Sequence, residues 1–260
     1  MEVIILKFCV LASGSAGNST LVATERTRIL VDAGLSRRET LARLAAVGAR
    51  LEQLDAILIT HEHTDHVAGL PVIAKSARIP VFLTHLTAPM VQWDDCQSQA
   101  VTFQAGATIT IGDIDIDSFS IPHDAVDPVG FCFRSQGLKI GMVTDLGYIP
   151  ENVRFQLRHT DLLMLESNHD LEMLKVGPYP WQVKQRVMGR RGHLSNEVAS
   201  GFVAAGMAGS TRTLILGHIS ENNNHPDLVR LMATQALEQR RLETRLVVAR
   251  PGKQTDVFTL

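Results

Sequence analysis

Six consecutive residues, His61-Glu62-His63-Thr64-Asp65-His66, hold three histidines and two carboxylates. Imidazole nitrogen and carboxylate oxygen are donors suited to divalent first-row ions such as Zn²⁺, Mn²⁺ and Fe²⁺. The spacing restricts how they can be used. On a helix each residue turns by about 100°, so His61 and His63 would point about 200° apart and could not share an ion. They can share one from an irregular loop, and Asp65 and His66 could then aim at a second ion from the start of a following helix. The segment is not an HExxH motif, because the residue four after His61 is aspartate. A solvated, histidine-rich loop is the bland alternative, and the apolar strand that delivers the cluster argues against it.

One loop cannot complete two coordination spheres, so further ligands are expected at the ends of later strands. His123 follows the run 114–121, Asp145 follows 140–144, and His218 follows 214–217. Each stands where an apolar strand ends, the place where layered α/β folds carry function.

The elements that must hold these residues are short. Residues 4–12, 19–24 and 27–31 are rich in β-branched residues and read as a small meander. Residues 55–59 form a buried-type strand ending at Thr60. More strands are expected at 81–84, within 100–119 and 129–143, and at 162–166 and 213–217, with turns at Gly106, Gly112 and Gly137. Helical spacing occupies 36–47, with Ser36 as its N-cap, and 68–77, 181–188, 195–207 and 227–240. Over 260 residues there is no repeat, low-complexity stretch or linker. One α/β domain covering 1–260 is expected, with two β-rich halves and helices outside them.

Composition removes some classes. The chain is 45% hydrophobic and 20% charged, and no apolar run approaches the ~18 residues of a membrane span. A net charge of −2 gives no global attraction to nucleic acid, so such binding needs a local patch. Residues 3–12 are apolar but interrupted by Lys7 and followed by a glycine-rich turn, so a first strand is expected in place of a signal peptide. Cys9, Cys96 and Cys132 form no CxxC pair, which fits a reducing cytoplasm.

The order HxHxDH, then His123, Asp145 and His218, resembles the metallo-β-lactamase superfamily over nearly the whole chain. The resemblance implies an αββα sandwich with two metal ions at the edge between the sheets. It assigns His61, His63 and His123 to one ion and Asp65, His66 and His218 to the other, with Asp145 bridging; zinc or manganese is expected, with iron as a further option. True zinc β-lactamases usually place cysteine or another histidine where Asp145 stands, and they are exported, so antibiotic hydrolysis is not expected. An aspartate bridge instead favours a symmetric dinuclear hydrolase.

Ser13-Gly-Ser-Ala-Gly-Asn-Ser-Thr20, Val31-Asp-Ala-Gly34, Leu165-Glu-Ser-Asn-His-Asp170, Gly192-His-Leu-Ser-Asn196 and His218-Ile-Ser-Glu-Asn-Asn223 narrow the likeness. Together they resemble the YycJ/WalJ-like branch, which is linked to 5′-to-3′ exonuclease activity on double-stranded DNA. They are also similar to ribonuclease Z, which implies that Glu166 orients His193. His193 would then touch the scissile phosphate or protonate the leaving oxygen, and Asp65 would accept the proton of the attacking water. Ser15, Asn18, His169, His193, Arg190, Arg191 and Ser220 are expected to contact substrate. Lys184, Arg186, Arg190 and Arg191 form a basic run before His193, either a phosphate-binding patch or a solvated helix end. Tyr179 and Trp181 could stack on a base or anchor the helix. DNA, ahead of RNA, is the expected substrate. The competing readings are a glyoxalase-II-like thioesterase, a small cyclic phosphodiesterase, and an inactive metal-binding regulatory protein.

Overall fold

Period-two alternation sorts the strand residues into layers. Along β1 (Lys7–Ala12), Phe8 and Val10 face one way while Cys9 and Leu11 face the other. The same sorting runs through β2 (Ser19–Ala23), β3 (Arg28–Val31) and β4 (Ala56–Leu58), which join β5 (Val81–Thr84), β6 (Ala100–Phe103) and β14 (Phe258–Thr259) in one sheet. A second sheet holds β7 (Thr108–Ile111), β8 (Ile114–Ser120), β9 (Val129–Ser135), β10 (Leu138–Val143), β11 (Leu162–Glu166), β12 (Thr213–Gly217) and β13 (Arg245–Val248). This is a computed structural model, and it describes residues 5–94 and 99–260. Ile4, expected to open the first strand, and Cys96 lie outside the described residues.

Phe8, Val22, Val31, Phe131, Met142 and Ile215 meet between the sheets. The opposite faces are covered by helices. α1 (Arg37–Ala46) and α3 (Leu70–Ala77) lie on the first sheet, against Leu30 and Ile57. α4 (Glu151–Gln156), α7 (Asn196–Ala205) and α8 (Pro226–Gln239) lie on the second, against Leu163 and Leu214. The result is the four-layered αββα sandwich, in which each buried Leu or Phe contributes about 1.5–3 kcal/mol and so fixes register. Ser36 caps α1 as expected, accepting from the Glu39 N–H. α5 (Leu171–Val176) and α6 (Trp181–Val187) stand in the connection between β11 and β12.

Parallel pairing brings the functional strand ends to one edge. Val143, Leu165 and Leu216 are register partners across β10, β11 and β12, so residues 145, 166 and 218 emerge side by side. In the other sheet Val31 pairs with Leu58, which sets Asp32 beside Thr60. The Val129 N–H donates to the Thr60 carbonyl (3.1 Å) and ties the sheets together at this corner.

The helix expected over 68–77 is present from Leu70 onward, and a separate single turn precedes it. α2 (Thr64–Val67) carries Asp65 and His66, and α3 begins at Leu70. The chain turns between them because the loop after β3 presses against it: Ala33 N donates to His66 O (2.8 Å) and Gly69 N to Ala33 O (2.8 Å). Gly34 has no room for a side chain, since a Cβ there would collide with the Asp65 carbonyl. Gly34→Ala is therefore expected to cost about 3 kcal/mol or more of unfolding free energy in urea. Gly201→Ala, inside α7 with open space around it, is expected to stabilise by about 0.5–1 kcal/mol. Equal stability of the two variants would contradict the close approach at Gly34.

Candidate metal centre

Six strand ends converge on the corner. β3 is followed by Asp32, β4 by the loop with His61 and His63, β8 by His123, β10 by Asp145, β11 ends on Glu166, and β12 is followed by His218. Asp32, Asp145 and His218 adopt left-handed backbone, with φ of 59°, 62° and 53°. Such conformations cost non-glycine residues about 1–3 kcal/mol each and persist where surrounding bonds over-determine them. His218, for example, is held by a 2.7 Å bond from its N–H to Ser13 Oγ.

Hydrogen bonds behind the imidazoles decide which nitrogen faces forward. His66 Nδ1 donates to Asp32 (2.8 Å) and His218 Nδ1 to Glu166 (2.7 Å). His123 Nδ1 donates to the Gly192 carbonyl (3.2 Å). Thr60 Oγ1 donates to Asp32 (3.0 Å) and so accepts from His61 Nδ1 (3.0 Å). These four rings thus present Nε2, while His63 presents Nδ1, 3.3 Å from His123 Nε2. Two nitrogens bound ~2.0–2.1 Å from one tetrahedral ion stand about 3.3–3.4 Å apart.

All seven expected ligands come together. His61, His63 and His123 form one group with donor atoms mutually within 4.8 Å, Asp65, His66 and His218 form a second, and Asp145 joins His61 and His66 in a third. Asp145 Oδ2 lies 3.5 Å from His66 Nε2 while Oδ1 lies 4.0 Å from His123 Nε2, so its carboxylate spans the two histidine groups. His61 Nε2, Asp145 Oδ2 and His218 Nε2 are buried without a hydrogen-bond partner. An unsatisfied buried polar atom costs about 1–3 kcal/mol; three on converging atoms fit a cation-binding role. The mixture of imidazole and carboxylate fits divalent metal ions.

The electrostatics also call for positive charge. Burial opposes ionisation of Asp65, yet the neighbouring imidazoles of His218 and His66 hold it well below the carboxylate range. Glu166 is likewise held low against burial by His193 and His218. Burial would lower His66, but Asp32 and Asp145 keep it well above its usual value. Burial is overcome at His218 too, which Asp145, Asp65 and Glu166 push up to about 10. His61 and His123 are pushed down, chiefly by burial, and stay neutral.

Glu166 has no exposed surface. Its Oε1 accepts from His193 Nδ1 (2.9 Å) and His218 Nδ1, and its Oε2 from the N–H groups of Leu194 (2.9 Å) and Leu146 (3.2 Å). It has no surface on the cleft, and its contacts are all with groups of the protein. His193, 22% exposed, opens onto a cleft of about 260 Å³ that is lined by Ser15, His63, Asp65, Asp124, Asp145, Val183, Arg186, Val187, Gly192 and His218 as well.

Other expected substrate contacts are placed elsewhere. Asn18 is buried, and its side-chain amide reaches Asp65 (3.0 Å) and His66 (3.0 Å), so it braces two candidate ligands. His169 is buried and absent from the cleft wall. The Ser220 hydroxyl closes the turn after β12 by accepting from Asn223 N (3.2 Å). Arg190 stacks on Tyr148, and Arg191 donates to the carbonyls of His123 (3.0 Å) and Ala125 (3.4 Å). Trp181 is 59% exposed and lies about 200° around α6 from the cleft-lining Val183. Sequence reasoning missed Asp32 and Thr60 as the support of His61 and His66; an aspartate directly after an apolar strand, as in Val31-Asp32, was the available signal.

Comparison with known proteins bears on the same residues. The profile of a family described as the beta-lactamase superfamily domain matches residues 27–219. The chain is 36% identical over 243 residues to exodeoxyribonuclease YycJ of Bacillus anthracis, covering 90% of each. It is 37% identical over 244 residues to exodeoxyribonuclease WalJ of Streptococcus pneumoniae, covering 92% of this chain and 91% of that one. The solved metallo-β-lactamase fold protein YhfI from Bacillus subtilis superposes with a TM-score of 0.76 at 18% identity, over 99% of this chain and 100% of that one.

Asp32→Ala is expected to weaken divalent-ion binding about 10–100-fold, because His66 loses the partner that aims it; unchanged affinity in a metal titration would contradict this. An ion on His218 Nε2 must displace a proton held up to about 10. Affinity should therefore rise with pH from about 6 to about 9, with proton release seen by calorimetry in buffers of differing ionisation enthalpy. A flat profile would contradict it.

Proposed function

The chain belongs to the metallo-β-lactamase superfamily and, within it, to the YycJ/WalJ branch, and on that footing we propose that it is a dinuclear metal-dependent phosphodiesterase that degrades DNA as a 5′-to-3′ exonuclease. One observation carries the reading furthest: an imidazole, His193, is held by a buried carboxylate at the wall of a cleft whose floor is metal-donor atoms. A thioesterase or an inactive regulator has no use for that pair. The names of the two relatives support DNA as the substrate, while the polarity rests on likeness to the branch.

In this reading His61, His63 and His123 hold one ion, Asp65, His66 and His218 hold the other, and Asp145 lies between them. The ions, zinc or manganese with iron as a further option, supply Lewis acidity and bring the pKa of water toward neutrality. The chain supplies the rest. Asp65, fixed by the Asn18 amide, takes the proton of the attacking water. Burial would lower the pKa of His193, but Glu166 raises it, so its Nε2 carries a proton that it donates to the leaving oxygen. Glu166 fixes the tautomer of this ring by taking Nδ1–H. Val183 and Val187 form an apolar part of the cleft wall. The reading also includes a single domain over 1–260 and a cytoplasmic setting. The free, buried Cys9 and Cys132 support the cytoplasmic part of it.

Asp65→Asn and Asp145→Ala are expected to abolish hydrolysis of bis(p-nitrophenyl) phosphate and of end-labelled duplex DNA. His193→Ala is expected to slow DNA cleavage about 10²–10⁴-fold with metal content retained. Full activity in any of the three would refute the role given to that residue. Turnover of a thioester in preference to DNA would refute the substrate class.

A further inference from the structure

Of the four cations in the run Lys184–Arg191, two are spent on protein carbonyls and a third, Arg190, stacks on a ring and is absent from the cleft wall. Lys184 Nζ is buried against the Lys175 carbonyl (2.7 Å), Arg190 covers Tyr148, and Arg191 holds the loop after His123. Arg186 is different. Anchoring by Lys184 turns Val183, Arg186 and Val187, neighbours at i, i+3 and i+4, toward the cleft. Arg186 Nε donates to Asp124, itself on the cleft wall next to His123. The two terminal nitrogens make no hydrogen bond to protein among the described residues. Among the cleft-lining residues, Arg186 is the one permanently charged cation.

Depth separates it from the reacting centre. The side chains of Asp145 and His218 are 3% exposed, His193 is 22% exposed, and Arg186 is 65% exposed. A scissile phosphate against the buried donors leaves Arg186 at the mouth, where the substrate continues. With Nε committed to Asp124, the outer edge of the guanidinium presents a two-donor fork, the geometry that matches a phosphate.

Building on the phosphodiesterase reading, we propose that Arg186, aimed by Asp124, binds a second, non-scissile phosphate and so selects polynucleotides over isolated phosphodiesters.

The test compares metal-loaded wild type, Arg186→Ala and Arg186→Lys on a short DNA duplex and on bis(p-nitrophenyl) phosphate, which has no second phosphate. In Arg186→Ala the ratio of kcat/KM for DNA to that for the small diester is expected to fall about 10-fold or more. The loss should lie mainly in KM, and the slope of log KM against log salt should decrease by about 1. Arg186→Lys should keep the salt slope, since charge remains, while losing part of the discrimination. An equal loss on both substrates, or an unchanged ratio, would overturn the proposal. If wild type cleaves neither substrate, the phosphodiesterase reading itself fails. If it cleaves DNA and Arg186→Ala keeps the ratio, only the role of Arg186 fails.

Discussion

Glu166 lies at the end of β11 with no exposed surface, and its two oxygens accept from His193, His218 and the main-chain N–H groups of Leu146 and Leu194. Burying a carboxylate costs several kcal/mol unless its lone pairs are filled by well-placed donors. Here the donors come from three separate stretches of chain: the turn after β10, the loop before α7 and the end of β12. Satisfying one charge therefore forces three loops into a single arrangement. The same oxygen, Oε1, fixes a candidate metal ligand, His218, and the candidate proton donor, His193, so the spacing between them is set by one atom.

Asp32 plays the matching part on the other sheet. It accepts from His66 and Thr60, and through Thr60 it orients His61. Each sheet thus ends in one buried carboxylate that directs two histidines, His61 and His66 by Asp32 and His193 and His218 by Glu166, and Asp145 lies between the two sets. The αββα layering makes this possible, because parallel pairing places the ends of β3 and β4, and of β10, β11 and β12, at one edge. Apolar residues between the sheets hold the two halves in register. The large apolar investment in the core therefore serves geometry at the rim.

Much of this was legible in the sequence. The layered fold, the strands and the candidate ligands could be read because hydrophobic alternation and a dense histidine motif are local signals. The split between α2 and α3 was not, since it arises from the Gly34 loop pressing on residues distant in sequence. Substrate contacts were the weakest part. Asn18, Arg190, Arg191 and Ser220 are polar residues near the site in sequence, but each satisfies a partner within the fold. Sequence shows which side chains can bind phosphate. Only the packing of α6 shows that Arg186 faces the cleft.

The central claim is that the two histidine groups act as one dinuclear centre for phosphodiester cleavage. Titrating metal-free protein with zinc or manganese while following cleavage of a 5′-labelled DNA duplex tests it most directly. No cleavage is expected without ions, with activity rising to a plateau at two equivalents per chain. A plateau at one equivalent, or cleavage indifferent to added ions, would contradict the account.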